Sequence, residues 1–232
     1  MIKISPSLTP KYEFIGKKKT PIIIIDDYVE QPQNLIQYAQ QESEFTVDNQ
    51  TQYPGVRAHI PKPIVVDYLQ PLMTGLYHVF NIDKAFKSEP KDNYFSLITT
   101  PESELTEVQS MPHFDTNDPN TIAIIHYIGN GDFGGIGFFK HKKTGYEYID
   151  YSCRDSFLQQ SQQAVNNKTS DIHYCTEQNE EFECYKTILY KANRLIAFPG
   201  YLLHSSLVKP ETDINNDPST GRLTANMFVQ FK

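Results

Sequence analysis

The spacing of apolar residues changes along the chain near Asn93. Before that point, Pro21-Ile22-Ile23-Ile24-Ile25 is an unbroken β-branched run closed by Asp26-Asp27, the pattern of a strand covered on both faces. Residues 33–44 place Leu35, Ile36 and Ala39 at helical spacing among good helix formers. Residues 63–80 carry Leu69, Leu72, Met73, Leu76 and Phe80 as one apolar stripe, with Pro63 suited to a first turn. Pro71 inside that span predicts a kink or a break. The stripe reads as a packing surface and not as a cofactor box.

After Asn93 the pattern becomes short runs separated by turn residues. Strands are predicted over residues 94–99, 121–128, 137–140, 185–190, 194–198, 202–208 and 223–231. Asn130-Gly131-Asp132, Gly134-Gly135, Pro199-Gly200 and Asp217-Pro218 read as turns between them. Residues 156–166 are read as a helix, and the polar stretch 211–221 as a loop insertion. No internal repeat is present. Helices followed by many short strands predict an α+β protein. Residues 1–232 are taken as one domain, with an N-terminal strand and supporting helices (1–92) flanking a sandwich or jelly roll (93–232).

Composition narrows the function classes. The 232 residues include Tyr 15 and Phe 14, enough aromatic mass for a core and too much for a disordered chain. With 28 acidic against 21 basic residues, the net charge of −7 gives no footprint for nucleic acid. Lys17-Lys18-Lys19 and Lys140-His141-Lys142-Lys143 read as solvated charge. Cys153, Cys175 and Cys184 are odd in number and lack C-x-x-C spacing, so they form neither a disulfide framework nor a thiolate zinc site. Residues 1–10 show no secretory pattern, and the longest purely aliphatic run falls far short of a membrane span. The expectation is a soluble cytoplasmic protein without a membrane or nucleic-acid partner.

Candidate chemistry centres on Met111-Pro112-His113-Phe114-Asp115. On an extended segment His113 and Asp115 face the same way, with Phe114 opposite, so imidazole and carboxylate can take neighbouring positions on one metal ion. Alone, an H-x-D pair is more often a histidine beside a carboxylate near a turn. A second apolar strand and turn, Arg194 through Leu203, ends in His204, inward-facing if it keeps the alternation of Leu202. Two histidines and a carboxylate that leave open cis positions form the facial triad of non-haem Fe(II) oxygenases. Arg222 and Thr224 share a face at the start of the last strand, and a guanidinium with a hydroxyl suits a carboxylate in a dry pocket.

The order H-x-D, then His, then R-x-T carries a family resemblance over residues 94–231. This stretch resembles the double-stranded β-helix of the 2-oxoglutarate- and Fe(II)-dependent oxygenases, a cupin-like jelly roll. It is most similar to their prolyl-hydroxylase-like branch, through His113-Phe114-Asp115, Ile124-Ile125-His126-Tyr127-Ile128-Gly129-Asn130, Gly134-Gly135, Phe198 through His204, and Arg222-Leu223-Thr224. Tyr53-Pro54-Gly55-Val56-Arg57 resembles a bacterial group of uncharacterised proteins with this core. The resemblance implies Fe(II) on His113, Asp115 and His204, and 2-oxoglutarate with its distal carboxylate on Arg222, helped by Thr224 and Tyr127. One departure is that Arg222 lies eighteen positions beyond His204, where the family's basic residue usually follows by about ten; residues 211–220 account for the excess as a loop, since loops lengthen at small entropic cost. Lys209 is the rival for the carboxylate role.

The implied activity is a dioxygenase that consumes dioxygen and hydroxylates, or desaturates, a peptide, an amino acid or a small metabolite. Asp115 fills the position that related halogenases leave open for a halide. Two other classes remain: an inactive metal-binding β-helix acting as a binding or sensing module, and a structural protein in which the histidines lie apart. Among secondary candidates, His126 should point away from the pocket as a core residue, and His141 should be exposed. His59, His78 and His173 lack a partner pattern. Arg57 is expected at the pocket mouth after the Pro54-Gly55 turn, and Gln109 on the face of His113 by strand alternation.

Overall fold

Two antiparallel sheets and a layer of helices make up the computed structural model, which describes residues 2–48, 51–167 and 172–232. In chain order the elements are β1 (Lys11–Ile15), β2 (Thr20–Ile25), α1 (Pro32–Glu42), β3 (Thr46–Val47), β4 (Gly55–His59), α2 (Lys62–Leu69), α3 (Met73–Val79) and β5 (Ser88–Ile98). They continue with β6 (Thr121–Tyr127), β7 (Ile136–His141), α4 (Arg154–Asn167), β8 (Phe182–Ile188), β9 (Arg194–Pro199), β10 (His204–Ser206), α5 (Pro210–Asp213) and β11 (Thr224–Phe231). The large sheet runs β1-β2-β9-β6-β11-β5-β4-β3, and the small one β10-β7-β8.

Strand alternation assigns the two faces of the large sheet. Ile23, Ile25, Ile122, Ile124, Leu195, Ala197, Met227 and Val229 pack against Leu35, Ile36, Tyr68, Leu69, Leu72 and Leu76 of the helical layer. Ile22, Ile24, Ala123, Tyr127, Ile196 and Phe198 point the other way, onto Ile136, Phe138 and Ile188 of the small sheet. The four consecutive isoleucines of β2 are all buried because they lie between these two layers. Between α2 and α3 the chain tightens into a 3-10 turn, Gln70–Leu72, because Pro71 has no N–H for the helical ladder. Among the described residues no helix is long and apolar enough to cross a membrane.

The structure corrects several expectations. Residues 55–59 form β4, paired with β5, although Pro54-Gly55 reads as a turn. Gly55 is there for close approach, since a Cβ would lie 2.0 Å from the Leu97 carbonyl oxygen. The strand expected over 202–208 is only His204–Ser206. His141 is 4% exposed, its Nδ1 2.8 Å from the Thr144 hydroxyl and its ring against Phe157 and Phe182. The stretch 211–221 is no plain loop: it begins in α5, and its Asp213 is completely buried.

Asp213 explains Gly134-Gly135. The Gly134 N–H donates to both Asp213 carboxylate oxygens, at 3.2 and 3.0 Å. A Cβ on Gly134 would stand 1.7 Å from the Leu207 carbonyl oxygen and 2.9 Å from Asp213 Oδ2. Because the first obstacle is backbone, Gly134→Ala is expected to cost about 1–3 kcal/mol or more. A urea titration should show a lower midpoint with an unchanged slope; an unchanged midpoint would mean the backbone yields.

Candidate metal centre

His113 and His204 face each other across a short antiparallel bridge. The His113 N–H donates to the His204 carbonyl at 2.9 Å, and the His204 N–H to the His113 carbonyl at 2.8 Å. This bridge adds the 113 segment to the edge of the small sheet beside β10 and holds the two rings 4.5 Å apart, centroid to centroid. The Asp115 N–H donates to the Gly200 carbonyl at 2.8 Å, which anchors the carboxylate segment to the turn after β9. Asp115 Oδ1 lies 3.8 Å from His113 Nε2, and Oδ2 lies 3.6 Å from His204 Nε2. One donor atom from each of the three residues falls within a span of 4.8 Å. Donors about 2.0–2.2 Å from a shared divalent ion are at most ~4.4 Å apart, a limit that the two carboxylate–imidazole separations of 3.8 and 3.6 Å meet.

The electrostatics suit a cation. His204, whose side chain is 6% exposed, places Nδ1 2.9 Å from the Leu202 carbonyl, which favours the tautomer with the Nε2 lone pair turned toward Asp115. Burial pushes its pKa down to about 4, so the ring is neutral at pH 7. His113, with 54% of its side chain exposed, is shifted in the same direction by desolvation and by His204, against the pull of Asp115. Burial raises Asp115 to about 6, and its neighbours His113 and Arg57 only partly offset this. A metal must then displace a proton from Asp115 below that pH while the imidazoles are still free. Nickel(II) affinity is therefore expected to be flat above pH 7 and to fall about tenfold per unit between pH 6 and 5. Calorimetric titration at several pH values checks this, and Asp115→Asn should remove the slope.

The triad lines a cavity of about 800 Å³ between the sheets, with Ala123, Ile125, Ile136, Phe198 and Phe228 as apolar walls and Tyr53, Arg57, Asn226 and Gln230 among its polar ones. Arg222, Thr224 and Tyr127 are not among the lining residues. Arg222 is 3% exposed; its Nε–H donates to the Gly134 carbonyl at 2.9 Å and lies 3.4 Å from Asp213 Oδ2. Its guanidinium carbon is 5.5 Å from the Tyr127 ring centroid. The Thr224 hydroxyl accepts from Asn226 Nδ2 at 2.9 Å, and the same amide reaches the Ser96 hydroxyl. The hydroxyls of Tyr53 and Tyr127 are buried without a hydrogen-bond partner. Arg222 is the charge felt most strongly by both phenols.

Other expected positions resolve clearly. Lys209 pairs with exposed Asp132 at 2.7 Å, away from the cavity. His126 points to the opposite face of β6, between Tyr68 and Asn193. Gln109 lines the cavity from a 3-10 turn, Val108–Ser110, and not from a strand. Arg57 lines it too. Asn226 and Phe228 were legible from the period of two that links them to Thr224, whereas nothing local marks Tyr174, which also borders the cavity.

Against known proteins, a sequence profile described as "Family of unknown function (DUF6445)" matches residues 6–229. No curated protein matches. Among solved structures, HygX from Streptomyces hygroscopicus with nickel, 2-oxoglutarate and hygromycin B bound is 11% identical, covering 92% of this chain and 84% of its own, with a TM-score of 0.51. HygX with nickel and 2-oxoglutarate bound is 9% identical over the same shares, with a TM-score of 0.50. The likeness is one of fold.

Proposed function

The chain belongs to DUF6445, a family of unknown function, and from that premise we propose that it is a non-haem Fe(II)- and 2-oxoglutarate-dependent dioxygenase that hydroxylates a small molecule. The observation that carries this reading is the His113, Asp115 and His204 donor set converging in one large cavity. Two neutral imidazoles and one carboxylate match the ligand preference of ferrous iron and leave coordination positions open. The fold similarity to HygX, described with nickel, 2-oxoglutarate and hygromycin B, supports a double-stranded β-helix core, a 2-oxoglutarate co-substrate and a small-molecule substrate. In this reading residues 93–232 carry that core within one domain, and residues 1–92 add β1–β4 to the two edges of its large sheet and the helices that cover it.

The triad fits a divalent metal, and the unpartnered Tyr53 and Tyr127 hydroxyls near Arg222 fit a carboxylate. Iron bound to the triad would supply the activation of dioxygen, coupled to oxidative decarboxylation of 2-oxoglutarate. Leu202 holds the His204 tautomer, and the bridge between His113 and His204 fixes both rings. Arg222 would take the far carboxylate of 2-oxoglutarate, with the Tyr127 and Thr224 hydroxyls beside it. Two orphan phenols around a buried guanidinium are donors that lack an acceptor, the environment an anionic oxygen would complete.

A second reading, a metal-binding module without turnover, is favoured by one observation: Arg222 already has Asp213 as a buried counter-charge. Anaerobic titration with Fe(II) and then 2-oxoglutarate separates the two. A visible charge-transfer band that requires both ligands, followed by succinate formation in air, supports the dioxygenase. Iron binding without the band leaves only the module.

A further inference from the structure

Arg57 is a charged group of the cavity that neither the metal ligands nor the Arg222 cluster employs. It stands on β4, next to Ser96 of β5, so its backbone is held within the large sheet. Its side chain is 16% exposed, and Nη1 donates to Asp48 Oδ2 at 3.1 Å and to the Thr51 hydroxyl at 3.2 Å. The guanidinium carbon lies 4.3 Å from the Tyr53 ring centroid and 5.4 Å from that of Tyr94. Aromatic rings cover the flat faces of such a cation, so further partners must approach its edge. Nε is buried and has no hydrogen-bond partner. With Nη1 occupied, the Nε/Nη2 edge is the unused one, and it is the edge that receives both oxygens of a planar carboxylate.

We propose that Arg57 is the specificity-determining residue for the primary substrate and that this substrate carries a carboxylate. The inference rests on the dioxygenase reading, because it takes the triad cavity as the place of reaction. Arg57 shares that cavity with His113, Asp115 and His204. The wall suits a monoanion: Asp48 takes Nη1 of Arg57 and leaves its other edge, and Lys91 is paired with Glu89 at 3.0 Å. A phosphate, with about −1.5 to −2 charges, would need more cations than this wall holds. A carboxylate seated on Arg57 leaves the rest of the substrate to extend over Tyr53 toward the metal ligands.

The test uses the full chain loaded with nickel(II), which does not turn over, and a fixed set of probes. These are the N-acetyl derivatives of alanine, leucine, phenylalanine and glutamine, their matching amides, and phenyl phosphate, with dissociation constants read by ligand-observed NMR. Acids should bind at least about tenfold tighter than amides, and Arg57→Gln should erase that ratio. Arg57→Lys, which keeps the charge without the fork, should restore only part of it. Affinity for 2-oxoglutarate, titrated on the same samples, should be unchanged in Arg57→Gln. Acids and amides that bind alike, or no acid bound at all, would overturn the proposal. So would tighter phenyl phosphate, or a loss of 2-oxoglutarate affinity in Arg57→Gln, which would make Arg57 a co-substrate anchor. Absence of 2-oxoglutarate binding in the unaltered protein, with the acid preference intact, would instead sink the dioxygenase reading.

Discussion

Arg222→Met should lower the melting temperature by roughly 6–20 °C, because breaking a buried ion pair costs about 3–5 kcal/mol and a domain of this size loses about 2–4 °C per kcal/mol. The cost lies less in the lost attraction than in the partner left behind. Asp213 is completely buried and Arg222 is its cation, so methionine leaves an uncompensated carboxylate in the interior. The carboxylate also receives the Gly134 N–H, and the Arg222 Nε–H reaches the Gly134 carbonyl, so one glycine is held from both sides. Asp213→Asn in the same chain removes the stranded charge while keeping an acceptor for Gly134. The double variant should therefore recover most of the lost melting temperature. It also separates structure from function. If Arg222 holds 2-oxoglutarate, the refolded double variant should lose at least about tenfold in 2-oxoglutarate affinity, the worth of a charge-assisted bond. Recovery of stability with full affinity would mark Arg222 as a structural cation.

That pair also shows where sequence reading reaches its limit. Period-two alternation placed His113 and Asp115 on one side, and the structure has their donors 3.8 Å apart. The β-branched run at 22–25 and the stripe broken at Pro71 were legible because burial on a regular element leaves a periodic trace. Asp213 left none. A single acid in a polar stretch looks the same whether it faces water or is sealed against an arginine, and only the return of the chain past Gly134 decides. His141 was misread for the same reason: three neighbouring lysines suggest solvent, yet alternation along β7 turns the ring inward. Gly55 and Gly134 read as turn residues when their work is close backbone approach, a property of the neighbouring strand or segment and not of the local sequence.

His204→Ala should reduce nickel(II) or iron(II) affinity by at least about 100-fold, since even partners one step removed from a metal typically contribute 10–100-fold. The substitution leaves the bridge to His113 in place, because both of its hydrogen bonds are made by backbone. What disappears is a neutral ring with Nδ1 at the Leu202 carbonyl and Nε2 3.6 Å from Asp115. Two donors remain, too few for a closed set, and the 2-oxoglutarate-dependent band should vanish with the metal. His126→Ala provides the contrast. His126 is equally buried, and desolvation likewise lowers it to about 4, so burial and basicity do not distinguish the two histidines. They differ in what surrounds the ring. Nδ1 of His126 is 2.8 Å from the Tyr68 hydroxyl and Nε2 is 3.0 Å from Asn193 Oδ1, so both nitrogens are spent within the core. Its loss should strand those groups at about 1–3 kcal/mol in stability, with metal affinity untouched. Metal loss in both variants would point to general unfolding, and metal retention in both would remove the triad from the argument.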